Sequence, residues 1–126
     1  MFKKDEIKII SIFGVTGSVG VSTQELIQMN IKKFKVDTIV ANNDVKGLIK
    51  AAKYLKPNLV IINNDKMFMP LKKSLEGYKI EIASGNDAII EASKRKVDVF
   101  VAAISGFAGL NSTFNPTVIK WLKPSF

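Results

Sequence analysis

The feature that most constrains this chain is a mostly apolar run, 7–13, that leads directly into a turn with three glycines. The spacing is G-x-x-G-x-x-G, with Gly14, Gly17 and Gly20 at the glycine positions. In strand–turn–helix units of this kind, the first glycine takes the tight turn and the second lets a pyrophosphate approach the backbone. The third allows the helix to pack closely on the strand. We therefore predict a buried parallel strand over 7–13, followed by a phosphate-binding turn.

The surroundings of the glycines favour the same ligand. Unpaired N–H groups at the start of a helix, together with the positive end of its dipole, attract an anion. Thr16 and Ser18 add hydroxyl donors at this place. A dinucleotide cofactor is therefore the expected ligand, and a purely structural turn is the alternative.

Apolar runs alternate with amphipathic stretches along the rest of the chain, which is the pattern of successive strand–helix units. Further strands are predicted over 36–41, 59–62, 78–83 and 97–103, and helices over 22–30, 45–55, 68–75 and 86–94. Because crossovers between parallel strands are right-handed, helices should cover both faces of the sheet. The predicted fold class is α/β: a Rossmann-like, doubly wound parallel sheet in three layers, formed by one domain over 1–126.

Two finer expectations follow from the same pattern. In the first helix, Leu26, Ile27 and Met29 are predicted to lie on the buried side. The segment 111–126 contains two prolines and is not expected to continue into another strand. The fifth strand would then present an open edge that needs a cover, and a homodimer could supply it.

Composition excludes several classes of chemistry. The chain has no cysteine and no histidine, which removes disulfides, thiol catalysis and the commonest general base. Its net charge is +8, but the lysines are scattered and Arg95 is the only arginine. This pattern is typical of a solvated surface and not of nucleic-acid binding. No stretch approaches the ~20 apolar residues that a membrane span needs. The absence of cysteine suits the cytosol, and a cytoplasmic location is expected.

A second informative segment follows the second predicted strand. NAD enzymes usually place an acid here against the adenosine ribose. In this chain the amides Asn42 and Asn43 precede Asp44, and Lys46 comes soon after. Amides and a cation favour the 2′-phosphate of NADP, which a carboxylate would repel. The same residue types also form turns and cap helices, and both interpretations stay open.

A third segment, 102–110, follows the fifth predicted strand and is rich in small residues. Small residues at the carboxyl end of a parallel strand leave room for a ligand that lies along the sheet edge. A tightly packed loop is the alternative interpretation.

These segments together resemble the amino-terminal domain of 1-deoxy-D-xylulose 5-phosphate reductoisomerase. The likeness reaches to about Thr113, and its most specific part is the pairing of the glycine turn with the Ala-Ile-x-Gly-x-Ala-Gly-Leu segment. The stretches that carry it are 12–20, 22–23, 56–60, 81–85 and 103–110.

The resemblance implies NADPH binding and a divalent-metal-dependent rearrangement and reduction of a pentulose phosphate, in isoprenoid-precursor synthesis. Carried over by residue, Thr16, Gly17, Ser18 and Val19 would contact the cofactor phosphates, with Gly14 and Gly20 shaping the turn. Asn42, Asn43 and Asp44 would lie by the adenosine ribose, and Ala103, Ile104 and Gly106 by the nicotinamide half.

Departures from the family pattern limit what this chain could do alone. No acid follows Asp98, so the family's carboxylate site for Mg²⁺ or Mn²⁺ has no counterpart, and no catalytic residue is assigned. We therefore expect a fragment that binds NADPH, and that acts on a phosphorylated sugar only if a second domain is supplied. Alternatives are the nucleotide domain of another Thr-Gly-x-x-Gly oxidoreductase, or a vestigial binding module without catalysis.

Overall fold

The computed structural model describes residues 7–103 and the strand at 118–121. In chain order the strands are β1 (Lys8–Phe13), β2 (Phe34–Ala41), β3 (Leu59–Ile62), β4 (Glu81–Ser84), β5 (Val99–Ala102) and β6 (Val118–Trp121). The α-helices are α1 (Ser18–Met29), α2 (Val45–Leu55), α3 (Phe68–Ser74) and α4 (Asn86–Ser93), with short 3₁₀ turns at Ile31–Lys33 and Asp65–Met67.

The strands form one sheet in the order β4-β3-β2-β1-β5-β6. The pairs from β4 to β5 are parallel, and β6 is antiparallel to β5. The chain steps outward from β1 to β4 and then returns to the other side of β1, so the topology reverses between β1 and β5. Ligands of open α/β sheets bind at the carboxyl ends of the strands at such a point. The predicted α/β, doubly wound class is confirmed.

Two apolar clusters, one on each face, hold the sheet between the helices. One cluster joins β1 to α1, α2 and α3 through fully buried side chains such as Ile12, Ile27 and Leu48. The other joins β1 to α4, and includes Phe13 and Ile89. Because side chains alternate along a strand, adjacent residues of β1 feed the two clusters. The central strand is therefore buried on both sides.

The first helix begins earlier than predicted, and its buried side is different. The turn residues themselves form its first turn, so α1 starts at Ser18. The buried positions are Gly20, Thr23 and Ile27, whose spacing of three and four residues marks one helical face. Leu26 and Met29 lie off that face, 55% and 81% exposed. The prediction that these two side chains are buried was wrong.

The end of the chain also differs from expectation. Val118–Trp121 forms β6, which pairs with the whole of β5 from Val99 to Ala102. The open edge predicted beside β5 is therefore covered by the chain itself. The segment combines β-branched and aromatic residues, which favour strands, although prolines at 116 and 124 flank it.

An ion pair closes the amino-terminal end of the sheet. The Arg95 guanidinium, after α4, donates from Nε and from a terminal nitrogen to the two carboxylate oxygens of Asp37 in β2, at 2.8 and 3.1 Å. Asn58 and Thr38 donate to the same carboxylate at 3.1 and 2.9 Å. Burial raises the pKa of Asp37, but these hydrogen bonds and the arginine charge outweigh it, and the pKa lies below its ordinary value.

This lowered pKa predicts a stability that depends on pH. A carboxyl group whose pKa is lower in the folded state stabilises the fold fully above its unfolded-state pKa. That stabilisation is lost as the pH falls through the folded-state value. We expect the free energy of unfolding of the wild type to fall more steeply than that of Asp37→Asn below about pH 4. Urea titrations of both proteins between neutral and acidic pH measure this, and parallel pH profiles would contradict it.

Candidate functional site

The glycine turn is anchored to β2, the strand that lies beside β1. Gly14 has φ of 99°, a left-handed conformation that glycine adopts without strain. The N–H groups of Gly14 and Val15 both donate to the carbonyl of Val40 in β2, at 2.8 and 3.0 Å. The turn predicted at Gly14 is therefore present, and its first two residues remain hydrogen-bonded to β2.

Gly20 lies where no side chain fits. A Cβ on this residue would overlap the carbonyl oxygen of Gly14 and lie 2.5 Å from the carbonyl carbon and oxygen of Val15. The start of α1 therefore packs directly on the backbone of the turn. The sequence predicts close packing of the helix at the third glycine. In the structure this packing is against the turn that follows β1.

Gly17 is different, because the fold itself does not require a glycine there. Its φ and ψ are −78° and 176°, an extended conformation open to any residue. A Cβ would meet the Gly14 oxygen at 3.6 Å, an ordinary contact. What the glycine provides is an uncovered stretch of backbone, since Gly17 and Ser18 are both exposed.

The amino terminus of α1 is open to an anion. Gly17 is the N-cap and supplies no side-chain hydrogen bond, and no acid lies in the first turn. The first hydrogen bond within the helix runs from the N–H of Val21 to the Gly17 carbonyl, at 2.8 Å. The preceding N–H groups, of residues 18–20, have no partner within the helix. Together with the helix dipole they favour a negatively charged group.

The end of β2 is tied to the end of β3. The Asn42 carbonyl accepts from the N–H of Asn64 at 3.0 Å, and its side-chain oxygen accepts from Asn63 Nδ2 at 3.3 Å. Asn43 and Asp44 are exposed beyond it. Asp44 caps α2, since its Oδ1 accepts from the Gly47 N–H at 2.9 Å. The helix-cap interpretation of this segment is therefore confirmed for Asp44.

The end of β5 lies on the other side of the turn. The N–H of Ala103 donates to the Phe13 carbonyl at 2.7 Å, so Ala103 is held beside the last residue of β1. Ile104 and Gly106, predicted from the same segment, lie outside the described residues. The carboxyl ends of β1, β2 and β5 thus meet around the glycine turn, as expected for a doubly wound sheet.

Gly47 is a residue of this region that sequence reasoning missed. A Cβ on Gly47 would lie 2.9 Å from Cγ2 of Thr16 and 2.5 Å from Oδ2 of Asp44. The start of α2 therefore packs against the glycine turn. A signal was available, because a glycine in the first turn of an otherwise good helix costs stability and needs a packing reason.

A groove of about 490 Å³ runs from this contact outward between α1 and α2. Thr16 and Asp44 stand at its inner end, and Lys50, Lys53 and Tyr54 lie farther along it.

Among residues 7–103 no three acidic side chains come together as a metal site would require. The helices of that same part of the chain also lack the combination of length and apolar character needed to cross a bilayer.

Comparison with known proteins identifies the relatives of this chain. A model of the 1-deoxy-D-xylulose 5-phosphate reductoisomerase family matches residues 10–120. The curated reductoisomerase of Zymomonas mobilis is 38% identical over 106 residues, which is 84% of this chain and 27% of the relative. That of a Bradyrhizobium strain is 37% identical over 105 residues, 83% of this chain and 26% of the relative. The chain therefore spans about a quarter of the length of these relatives.

Solved structures of the same enzyme share the fold. The reductoisomerase from Zymomonas mobilis in complex with NADPH superposes with a TM-score of 0.78 at 36% identity, over 80% of this chain and 27% of that one. A reductoisomerase in complex with NADPH, fosmidomycin and magnesium gives a TM-score of 0.74 at 31% identity, over 82% of this chain and 26% of that one. With a family match over residues 10–120, this chain belongs to the 1-deoxy-D-xylulose 5-phosphate reductoisomerase family.

Proposed function

We propose that this chain is the NADPH-binding part of a reductoisomerase-like oxidoreductase of isoprenoid-precursor synthesis, with residues 1–126 as one domain. The observation that carries the proposal is the open amino terminus of α1, with an uncapped first turn that follows Gly17. The likeness to a relative solved in complex with NADPH supports the same cofactor.

The residues assigned to the cofactor divide into three groups. The glycine turn would hold the pyrophosphate through its N–H groups and two hydroxyls. The ends of β2 and β5 would hold the adenosine ribose and the nicotinamide half. In that order the groups are Gly14, Thr16, Gly17, Ser18, Val19 and Gly20; Asn42, Asn43 and Asp44; and Ala103, Ile104 and Gly106.

The proposed role ends at cofactor binding. A relative has been solved with magnesium as well as NADPH, but the described residues of this chain offer no comparable ligand cluster. When bound, NADPH supplies a hydride, and the residues of this chain hold and orient it. A phosphorylated sugar, a divalent metal and turnover would require residues from a further domain. We further propose a cytoplasmic location and a homodimer, whose contact would not be the β5 edge, because β6 covers that edge.

Titration of the purified chain with NADPH, followed by its fluorescence, tests the proposal. We expect saturable binding below millimolar cofactor. Gly17→Ala should weaken it about tenfold or more, a loss of roughly 1.4 kcal/mol, because the new methyl group occupies the surface that the pyrophosphate would contact. The variant should unfold at the same temperature as the wild type, since its Cβ meets only an ordinary contact.

Ser22→Ala is a matched control, because Ser22 is an exposed residue of the same helix beyond its first turn. It should leave the dissociation constant unchanged. Absence of saturable binding to the wild type at millimolar NADPH would refute the proposal and favour a vestigial module.

A further inference from the structure

We infer that Asp44 sets the cofactor discrimination of this chain, and that its carboxylate reduces the preference for NADPH to near equality with NADH. The inference rests on the proposed function, because it concerns the adenosine half of the same cofactor. NADPH differs from NADH only in the phosphate on the 2′-oxygen of that ribose. Discrimination between the two cofactors therefore depends on the charges at the end of β2.

The amino termini of α1 and α2 differ in whether a negatively charged side chain caps them. At α1, no side chain caps the first turn and no acid lies within it. At α2, the Asp44 carboxylate already accepts from the Gly47 N–H, at 2.9 Å. The positive end of the second helix is thus partly neutralised by a negative charge of the chain itself. A phosphate is favoured at α1 and repelled at α2.

The two sites are adjacent, so Asp44 is close enough to act on a ligand of the glycine turn. A Cβ on Gly47 would touch both the Asp44 carboxylate and the methyl group of Thr16, at 2.5 and 2.9 Å. Thr16 belongs to the turn proposed to hold the pyrophosphate. A ribose attached to that pyrophosphate and directed toward β2 therefore reaches the region of Asp44.

The neighbouring lysines do not pair with this charge, although Lys50 and Lys53 line the same groove farther along α2. Within residues 7–103, the Asp44 carboxylate is in no ion pair with a lysine or arginine. Lys46 is exposed two positions further on, in the first turn of α2. Arg95, the only arginine of the chain, is bound to Asp37. An acid at this position instead suits a ribose 2′-hydroxyl, from which its carboxylate can accept a hydrogen bond.

Dissociation constants of NADPH and NADH, measured on the full chain and on Asp44→Asn, test the inference. We expect similar constants for the two cofactors in the wild type. Asp44→Asn should tighten NADPH by about tenfold and leave NADH within about twofold, because it removes one charge repulsion near the surface. Asparagine is an equally good N-cap, so α2 and the fold should persist, which circular dichroism checks.

Asp65→Asn is the matched control. Asp65 is also a carboxylate at the carboxyl edge of the sheet, where it accepts from the Ser84 hydroxyl at 2.8 Å, and the substitution removes the same charge. It should leave the NADPH to NADH ratio unchanged. An equal change in both variants would overturn a specific role for Asp44, as would a wild-type preference for NADPH that Asp44→Asn does not alter. Failure of both cofactors to bind either protein would refute the proposed function and this inference with it.

Discussion

Gly20→Ala is expected to destabilise the fold by about 3 kcal/mol or more. The added methyl group would overlap the carbonyl oxygen of Gly14 and crowd the carbonyl group of Val15. These are backbone atoms, fixed by hydrogen bonds to β2, so the clash cannot be relieved by a side-chain rotation. The helix would have to move away from the turn. Urea denaturation followed by circular dichroism measures the loss, and unchanged stability would contradict the packing described for α1.

Gly17→Ala serves as its control, because it makes the same chemical change three residues earlier. Its Cβ would meet the Gly14 oxygen at 3.6 Å. We expect a change in unfolding free energy within about 0.5 kcal/mol. The two variants therefore separate a glycine that the fold needs from one that the ligand needs. Equal destabilisation by both would show that the turn is uniformly intolerant and that this distinction is wrong.

Arg95→Ala is expected to lower the free energy of unfolding by about 2–3 kcal/mol. The Asp37 side chain is 9% exposed and would keep its charge with only Asn58 and Thr38 as donors. The Arg95 side chain is 40% exposed, so the loss should be smaller than for a fully buried pair. Urea denaturation at neutral pH measures it. A value indistinguishable from the wild type would contradict the stabilising role of the pair.

Lys94→Ala is the matched control, since Lys94 precedes Arg95 and makes an exposed ion pair with Glu91 at 3.9 Å. Such pairs contribute little, and we expect a change below about 0.5 kcal/mol. Adding Asp37→Asn to Arg95→Ala should recover part of the lost stability, because it removes the unpaired charge.

The parts of the fold that were predicted correctly are those with local signals. Strand β3 and helix α2 were predicted with their observed bounds, since each is a clear apolar or amphipathic run that ends at a turn residue. The glycine spacing likewise predicted the turn after β1 and the close packing at Gly20. The capping role of Asp44 was one of two interpretations, and its residue type indicated it.

What escaped prediction depends on distant parts of the chain. Asp37 and Arg95 are 58 positions apart in the sequence. The residues around each of them form no local pattern that predicts their pairing. Strand β6 depends on the free edge of β5, which exists only after the sheet has formed. Leu26 and Met29 are exposed because the packed face of α1 is formed by Gly20, Thr23 and Ile27. The apolar residues of the helix alone did not specify that face.

The central position of β1 determines which parts of the chain open first by local unfolding. This strand has a hydrogen-bonded neighbour on each side and an apolar cluster on each face. Local opening of a protein proceeds from its weakly held parts, and the amides of such a strand exchange with solvent only on nearly complete unfolding. The glycine turn grows directly from the end of this strand. The surface proposed to receive the pyrophosphate is therefore attached to the strand that opens last. We expect it to keep its conformation while the outer parts of the domain open locally.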